Sequence, residues 1–328
     1  MKQEVFESRH RDEWYVFEQW LQSLSGSKII DRPKTGEPFP VLYRKICHHL
    51  ALARTRQYSA ALQERLHNLA LEGHQYLYKN RTSMFLSFAR FFVRDFPAAM
   101  RRHGRYLFWS CLAFFGVGFV TAWVVQVKPE FIYMLMDPTQ VARMESMYEP
   151  GNEAIGRERG SDSDIMMFGF YIYNNISIGF RTFAGGLVFG IGSLFFLVFN
   201  GLVIGGIASH LTAAGMSSTF WPFVSGHSSF ELIAIVIFGA VGLAIGRQMI
   251  APGRKTRWGA VADQARDSLP LIYGGTTMLL IAAFVEAFWS STTWPPNSFK
   301  YIVGISLWVL HILYFTLLGR HESRKRHG

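Results

Sequence analysis

The chain has 328 residues, half of them apolar and only 17% charged, with a formal net charge of +10. A basic excess fits either nucleic acid or an anionic membrane surface, and the apolar runs of the second two-thirds, longer than a water-soluble fold can easily cover, favour the membrane. The only cysteines, Cys47 and Cys111, lie in regions of opposite character, which argues against a disulfide or a CxxC-type metal site.

The opening MKQEVFESRH is charged, has no apolar core and predicts no secretory signal. Residues 1–82 read as a cytoplasmic helical domain. Trp14, Phe17, Leu21 and Leu24 recur at helical spacing, DRPKTGEPFP interrupts them, and Leu42, Ile46, Leu50 and Ala53 resume the pattern. Tyr58, Leu62, Leu66, Leu69 and Tyr76 continue it, so three apolar stripes are expected to pack on one another.

Residues 83–106 read as an interfacial amphipathic helix followed by a basic linker. In SMFLSFARFFVRDF the rings of Phe85, Phe88, Phe92 and Phe96 share one face of a helical wheel, with Arg90 and Arg94 opposite. Rings among acyl chains with guanidinium groups at phosphates are what membrane-surface contact requires. Pro97 is expected to end this helix.

Residues 107–319 read as a six-helix transmembrane domain, making the fold class an all-α polytopic membrane protein. A span needs about 20 mostly apolar residues, and 107–126, 187–209, 230–250, 269–289 and 299–319 qualify. Residues 165–183 are assigned as the sixth span although they contain Asn174, Asn175 and Arg181, and the AGG that follows predicts a tight turn. RRHGR precedes the first span, Arg254, Lys255 and Arg257 follow the fourth, and a basic tail, 320–328, follows the last. Lys and Arg collect on the cytoplasmic side of short loops. Both termini are therefore expected in the cytoplasm of a bacterial inner membrane, with loop 127–164 outside.

Amide and ionisable side chains inside spans face protein or water. Asn174, Asn175, Arg181, Asn200, His227, Glu231 and Glu286 are the candidates for an intramembrane polar network. Ser228-x-x-Glu231 has the form of a capping box, leaving three readings for this point: a helix cap, a cap joined to an interhelical hydrogen-bond network, or a transport site. His227 and Glu231 alone are too few for a metal site, and neither a metal nor a cofactor is expected. Gly186/Gly190, Gly201/Gly205 and Gly242/Gly246 stand four apart, the spacing that lets helices approach closely. No Walker, GxSxG or HExxH motif is present, and no enzyme activity is expected.

Several stretches resemble the stage II sporulation protein M family: Trp14 and Trp20 in the first helix, LYRKICHHLALAR, RLHNLALEGHQYLY, YNNISIGFRTFAGG, FNGLVIGG, GHSSFELIAIVIFGAVGLAIG and VEAF. The match falls on Asn174, Asn175, Asn200, Gly201, His227, Glu231 and Glu286, while Gly226 and Ser228 stand where family members often carry Pro or Glu beside the histidine. The resemblance implies a non-enzymatic membrane component, of which the sporulation member supports cell-wall hydrolases during engulfment. It also implies partners: genes of other members lie near those of MoxR-type ATPases and von Willebrand factor A-like proteins. The resulting expectation is an oligomeric scaffold of the cell envelope bound to membrane lipids, with no nucleic acid. The competing expectation is a transporter or channel working through the His/Glu/Asn group.

Overall fold

A computed structural model describes residues 2–25, 37–79, 84–151, 155–156, 164–292 and 294–319, and every regular element among them is helical. The chain divides into two compact units, Met1–Ser87 and Phe88–Gly328.

In the first unit, α1 (Gln3–Ser25), α2 (Phe39–Thr55) and α3 (Ala60–Lys79) bury one stripe each. Phe6, Trp14, Phe17 and Leu21 meet Leu42, Ile46 and Ala53, and Tyr58, Leu62, Leu66 and Leu69 close the core. Leu50 and Tyr76 pack at its rim, and the side chain of Leu24 lies outside the described residues. Phe6, absent from the stripes read in the sequence, is fully buried. It stands eight residues before Trp14, on the same helix face.

The core holds one histidine. The Trp14 indole N–H donates to His49 Nδ1 at 3.1 Å. His49 Nε2 faces Glu13 at 3.8 Å, and Glu13 also receives Lys45 at 2.9 Å and lies 3.1 Å from His10. Burial would raise the Glu13 carboxyl, but hydrogen bonds from Lys45 and His10 outweigh it and hold the group below its usual 4.5. Burial, followed by the field of His10, pushes the His49 imidazole down from 6.5 to about 4.

That depression has a defined sign. Above pH 6.5 the ring is neutral whether the unit is folded or not. As pH falls toward 4 the unfolded chain takes up a proton that the folded one refuses, so stability is lost across that window. Protection factors of amides in α1–α3, with the intrinsic pH dependence of exchange divided out, are expected to fall between pH 6.5 and pH 4. His49→Gln keeps an acceptor for Trp14 and should flatten that fall; an unchanged profile would show that His49 does not govern it.

The second unit corrects the reading of the interfacial segment. α4 (Met84–Arg90) passes through a π-turn, Phe91–Asp95, straight into α5 (Phe96–Arg102). Pro97 sits in the first turn of α5 and does not end the helix; a proline is tolerated there because its missing N–H costs no α-helical bond. The π-turn carries one extra residue per turn and shifts the phase of the wheel. Phe85 and Phe88 are exposed, Phe92 is half-buried, and Phe96 is buried among Tyr314, Phe315 and Gly274. Phe96 is therefore a core residue rather than a lipid-facing one. Arg90 and Arg94 are exposed, and Ser83 lies outside the described residues.

α6 (Gly104–Cys111) continues through a second π-turn into α7 (Val117–Val127). The short α8 (Ile132–Leu135) and α9 (Pro138–Met147) follow, the latter opened by an Asp137–Gln140 capping box. Next come α10 (Asp164–Ala184), α11 (Ile191–Ala213), α12 (Ser217–Ser225), α13 (Ser228–Ile250), α14 (Arg257–Val285) with its terminal π-turn Glu286–Ser290, and α15 (Asn297–Leu317). The tail 320–328 and residues 152–154 and 157–163 of the loop lie outside the described residues.

Among the described residues five helices are long and apolar enough to cross a membrane: Gly104–Val127, Ile191–Ala213, Ser228–Ile250, Arg257–Ser290 and Asn297–Leu317. α10 forms as a 21-residue helix, but Asn174, Asn175 and Arg181 dilute its apolar character and it is not among the five. The helix ending at Ser290 starts at Arg257, well before residue 269.

α13 is the hub. In its apolar window 72% of residues are buried inside the protein, against 11% for α15, as expected for a helix that is hydrophobic all round. α14, α10, α6, α11 and α15 surround it. Glycines set the closest approaches. A Cβ at Gly186 would overlap the Gly242 carbonyl oxygen, and one at Gly246 would overlap the backbone of Gly190. Gly190 itself has φ +81°, a left-handed conformation that glycine adopts without strain. Gly201 and Gly205 of α11 face the carbonyl oxygens of Phe114 and Gly118 in the same way. These contacts are all within one chain. Ser110 and Ser193 add hydrogen bonds across helices to the carbonyls of Val236, at 2.7 Å, and Thr182, at 2.6 Å.

Candidate functional site

Three elements bring polar groups to one place: the start of α13, the π-turn that ends α14, and the middle of α10. Gly226 makes the approach possible. A Cβ there would overlap the Trp289 ring and stand 3.3 Å from Ser290 Oγ. With only hydrogen at that position the α12–α13 corner lies against the π-turn, and His227 Nδ1 comes within 3.0 Å of Ser290 Oγ. Its Nε2 lies 3.8 Å from Glu231 Oε2, one helical turn on.

Glu286 enters from the π-turn and Asn175 from α10. Asn175 Nδ2 lies 3.5 Å from Glu286 Oε2, and Asn174 Nδ2 donates to Asn175 Oδ1 at 3.2 Å. One donor atom each from His227, Glu231 and Glu286 fall within 4.8 Å of one another. His227 and Asn175 are 4% and 2% exposed, and Glu231 and Glu286 are half-buried. The Phe223 ring meets the imidazole edge-on at 5.3 Å. Tyr148, in the segment between the first span and α10, has its phenol pushed upward by burial first, then by Glu286, Tyr171 and Glu231. It therefore stays a neutral hydroxyl beside two carboxylates.

The other candidates fall elsewhere. Asn200 donates to Phe196 within its own helix, at 2.7 Å. Arg181 is exposed and Asn174 sits at the edge of the group, also exposed. The capping box is overturned: α13 begins after His227 with no side-chain cap bond. Ser228 Oγ instead accepts from the Trp308 indole at 3.3 Å, and Glu231 turns toward His227 rather than back to the helix start. The half-buried Trp308 indole N–H finds its acceptor there, and leaving such a donor unmatched is costly.

Two participants were not read from the sequence. Ser290 is the partner of His227. Lys300, 1% exposed, donates its ammonium to the carbonyls of Ser290, at 3.1 Å, and Thr292. A cation at the carbonyl end of a helix is favourable, and it fixes the backbone that carries Ser290. The signal was available, since a lysine just inside an apolar run is costly unless paired. A second buried histidine, His103, is fully occupied: Nδ1 lies 3.0 Å from the Ala99 carbonyl, and Nε2 lies near Gln264 and Ser268 at 3.0 and 3.2 Å. His311 bonds the Leu307 carbonyl of its own helix at 2.9 Å.

Apolar helices of spanning length around a buried hub, with carboxylates, imidazole and amide turned inward, define a polytopic helical membrane protein. Within that class, the family description Stage II sporulation protein M matches residues 111–291, more than half of the chain, and the chain belongs to this family. The matched stretch holds Asn175, His227, Glu231, Glu286 and Ser290 and stops before Lys300 and α15. A separate description, a domain of unknown function (DUF8413), matches residues 4–79, which is the three-helix unit. No curated protein and no solved structure matches the chain.

Proposed function

We propose that this protein is a non-enzymatic scaffold of the bacterial inner membrane that oligomerises and organises envelope partners, with both termini cytoplasmic and α10 crossing as a sixth span. One observation carries the reading: the centre of the bundle is filled. α13 occupies the axis with 72% of its apolar window buried, and its neighbours touch it backbone to backbone at Gly186 and Gly190. A transport route needs a water-filled or mobile passage past the site, and the close backbone contacts of α13 among the described residues speak for a filled axis. Among the described residues, Glu231 and Glu286 line neither the groove around Arg105 and Arg247 nor the one around Phe92 and His311.

Membership of α10 in the bundle supports the sixth crossing. It packs on α13, α14 and α11, and its buried Asn175 turns to Glu286, with Asn174 bonded to Asn175. With six crossings the loop Ala251–Thr256, carrying Arg254 and Lys255, falls on the same side as the N-terminus, in accord with the distribution of basic residues. The outer faces of α7 and α15 expose Phe119, Trp123, Ile302, Ile305 and Val309. Patches of that size are covered by lipid or by other subunits. By family resemblance the partners include MoxR-type ATPases and von Willebrand factor A-like proteins.

Reconstitution into liposomes and nanodiscs tests the reading. The expected result is a defined oligomer, no pH-driven solute flux, and cytoplasmic accessibility of tags at both ends in intact cells. A monomer that conducts protons or solute, with flux lost in Glu231→Gln, would replace the scaffold by a transporter.

A further inference from the structure

We propose that His227, Glu231 and Glu286 bind one divalent transition-metal ion that joins the start of α13 to the end of α14. The proposal is independent of the scaffold reading.

Geometry is the first support. The three donor atoms come from two elements whose sequence positions are far apart, and they lie within 4.8 Å of one another. His227 Nε2 and Glu231 Oε2 stand 3.8 Å apart. That is too long for a hydrogen bond. Two ligands of one tetrahedral ion, each bonded at about 2.0–2.2 Å, stand roughly 3.3–3.5 Å apart, so a few tenths of an ångström of side-chain motion closes the site.

Charge is the second. Two half-buried carboxylates approach each other, and among the described residues no Lys or Arg pairs with either. Like charges at this separation in a partly dehydrated site repel each other. One dication balances two carboxylates and leaves the imidazole neutral, the form that ligates.

The surroundings match what a metal site requires. With Nδ1–H donating to Ser290 Oγ at 3.0 Å, the Nε2 lone pair faces the carboxylates. Asn175 holds Glu286 from the other side. Such outer hydrogen bonds orient ligands and fix the tautomer. Glu286 and Ser290 both belong to the π-turn, a helical irregularity that recurs at functional sites. One imidazole with two carboxylates favours Zn²⁺, Mn²⁺ or Fe²⁺ over the all-oxygen ions Ca²⁺ and Mg²⁺. Three protein ligands leave a fourth position for water.

A second trio in the same chain makes the contrast. His10, Glu13 and His49 also converge within 4.8 Å. There the Trp14 indole N–H occupies His49 Nδ1, which puts the ring proton on Nε2, the nitrogen that would have to ligate. Lys45 already neutralises Glu13 at 2.9 Å. In that trio the acid and one imidazole are already engaged, which disfavours a metal there.

The test uses the full chain, purified in detergent without chelator or polyhistidine tag, loaded with Zn²⁺ and freed of excess. Elemental analysis should find about one equivalent per chain. Glu231→Gln and Glu286→Gln should each weaken retention by about 10–100-fold or more, while His49→Gln leaves it unchanged. If either glutamine variant fails to fold, the wild-type protein still decides: EDTA should lower its thermal midpoint, Zn²⁺ should restore it, and Co²⁺ should give the visible absorption of a tetrahedral nitrogen–oxygen site. Wild-type protein that holds only trace metal after loading would overturn the proposal. So would retention that is indifferent to Glu231→Gln and Glu286→Gln, or that follows His49→Gln.

Discussion

Gly205→Ala should destabilise the membrane unit by about 3 kcal/mol or more, at the upper end of what overpacking costs in a filled interior. An added Cβ overlaps the Gly118 carbonyl oxygen, and the obstacle is backbone, which cannot rotate aside as a side chain would. One turn earlier Gly201 stands against the Phe114 carbonyl, and in return a Cβ at Gly118 would stand 3.3 Å from the Gly201 oxygen. The two helices therefore have to separate along the whole seam, exposing Ser209, whose hydroxyl donates to the Ala122 carbonyl at 2.8 Å. Gly169→Ala is the control. It sits in α10 with nothing within 4 Å of the new atom, so the gain in helix propensity should leave stability unchanged or raise it by about 0.5–1 kcal/mol. Thermal unfolding and gel-filtration profiles in one detergent check both. Equal behaviour of the two variants would mean that the α7–α11 contact does not hold the bundle.

Trp14→Ala should unfold the three-helix unit. The indole is 1% exposed, flanked by Phe6 and His49, and its N–H is the donor that His49 accepts. Truncating a buried Trp costs about 3–5 kcal/mol, and His49 also loses its partner. A unit of this size has few other reserves, because small domains bury a low fraction of their surface. Hydrogen exchange should show rapid labelling across α1–α3 with protection retained in α11, α13 and α14, whose core clusters share no residue with that of the first unit. Retained protection in α1–α3 would show that the core tolerates the cavity.

Some of the architecture was legible locally and some was not. The stripes of α1–α3 predicted their own core because an amphipathic helix announces its buried face every third or fourth residue. The apolar runs announced α6–α7, α11, α13, α14 and α15 for a similar reason. The same wheel misplaced Phe96, because a π-turn changes the phase of a helix without leaving a mark in composition. The Ser228–Glu231 pattern also misled: a capping box is a local option, and Trp308, 80 residues away, claimed Ser228. Asn200 satisfied itself one turn back in its own helix, a choice that composition does not reveal.

From the sequence alone follow the helical class, the greasy segments, the separate basic-and-acidic N-terminal unit and the short roster of polar residues inside the greasy segments. These are properties of residues and their near neighbours, and hydrophobic periodicity encodes them directly. Which polar residues meet was decided only by the packing of helices. Asn175 and Glu286 are 111 positions apart, and His227 and Ser290 are 63. Their meeting depends on Gly226 admitting the Trp289 ring and on Lys300 fixing the carbonyl of Ser290. Contacts of that kind arise from shape across three helices, and no window along the chain contains them.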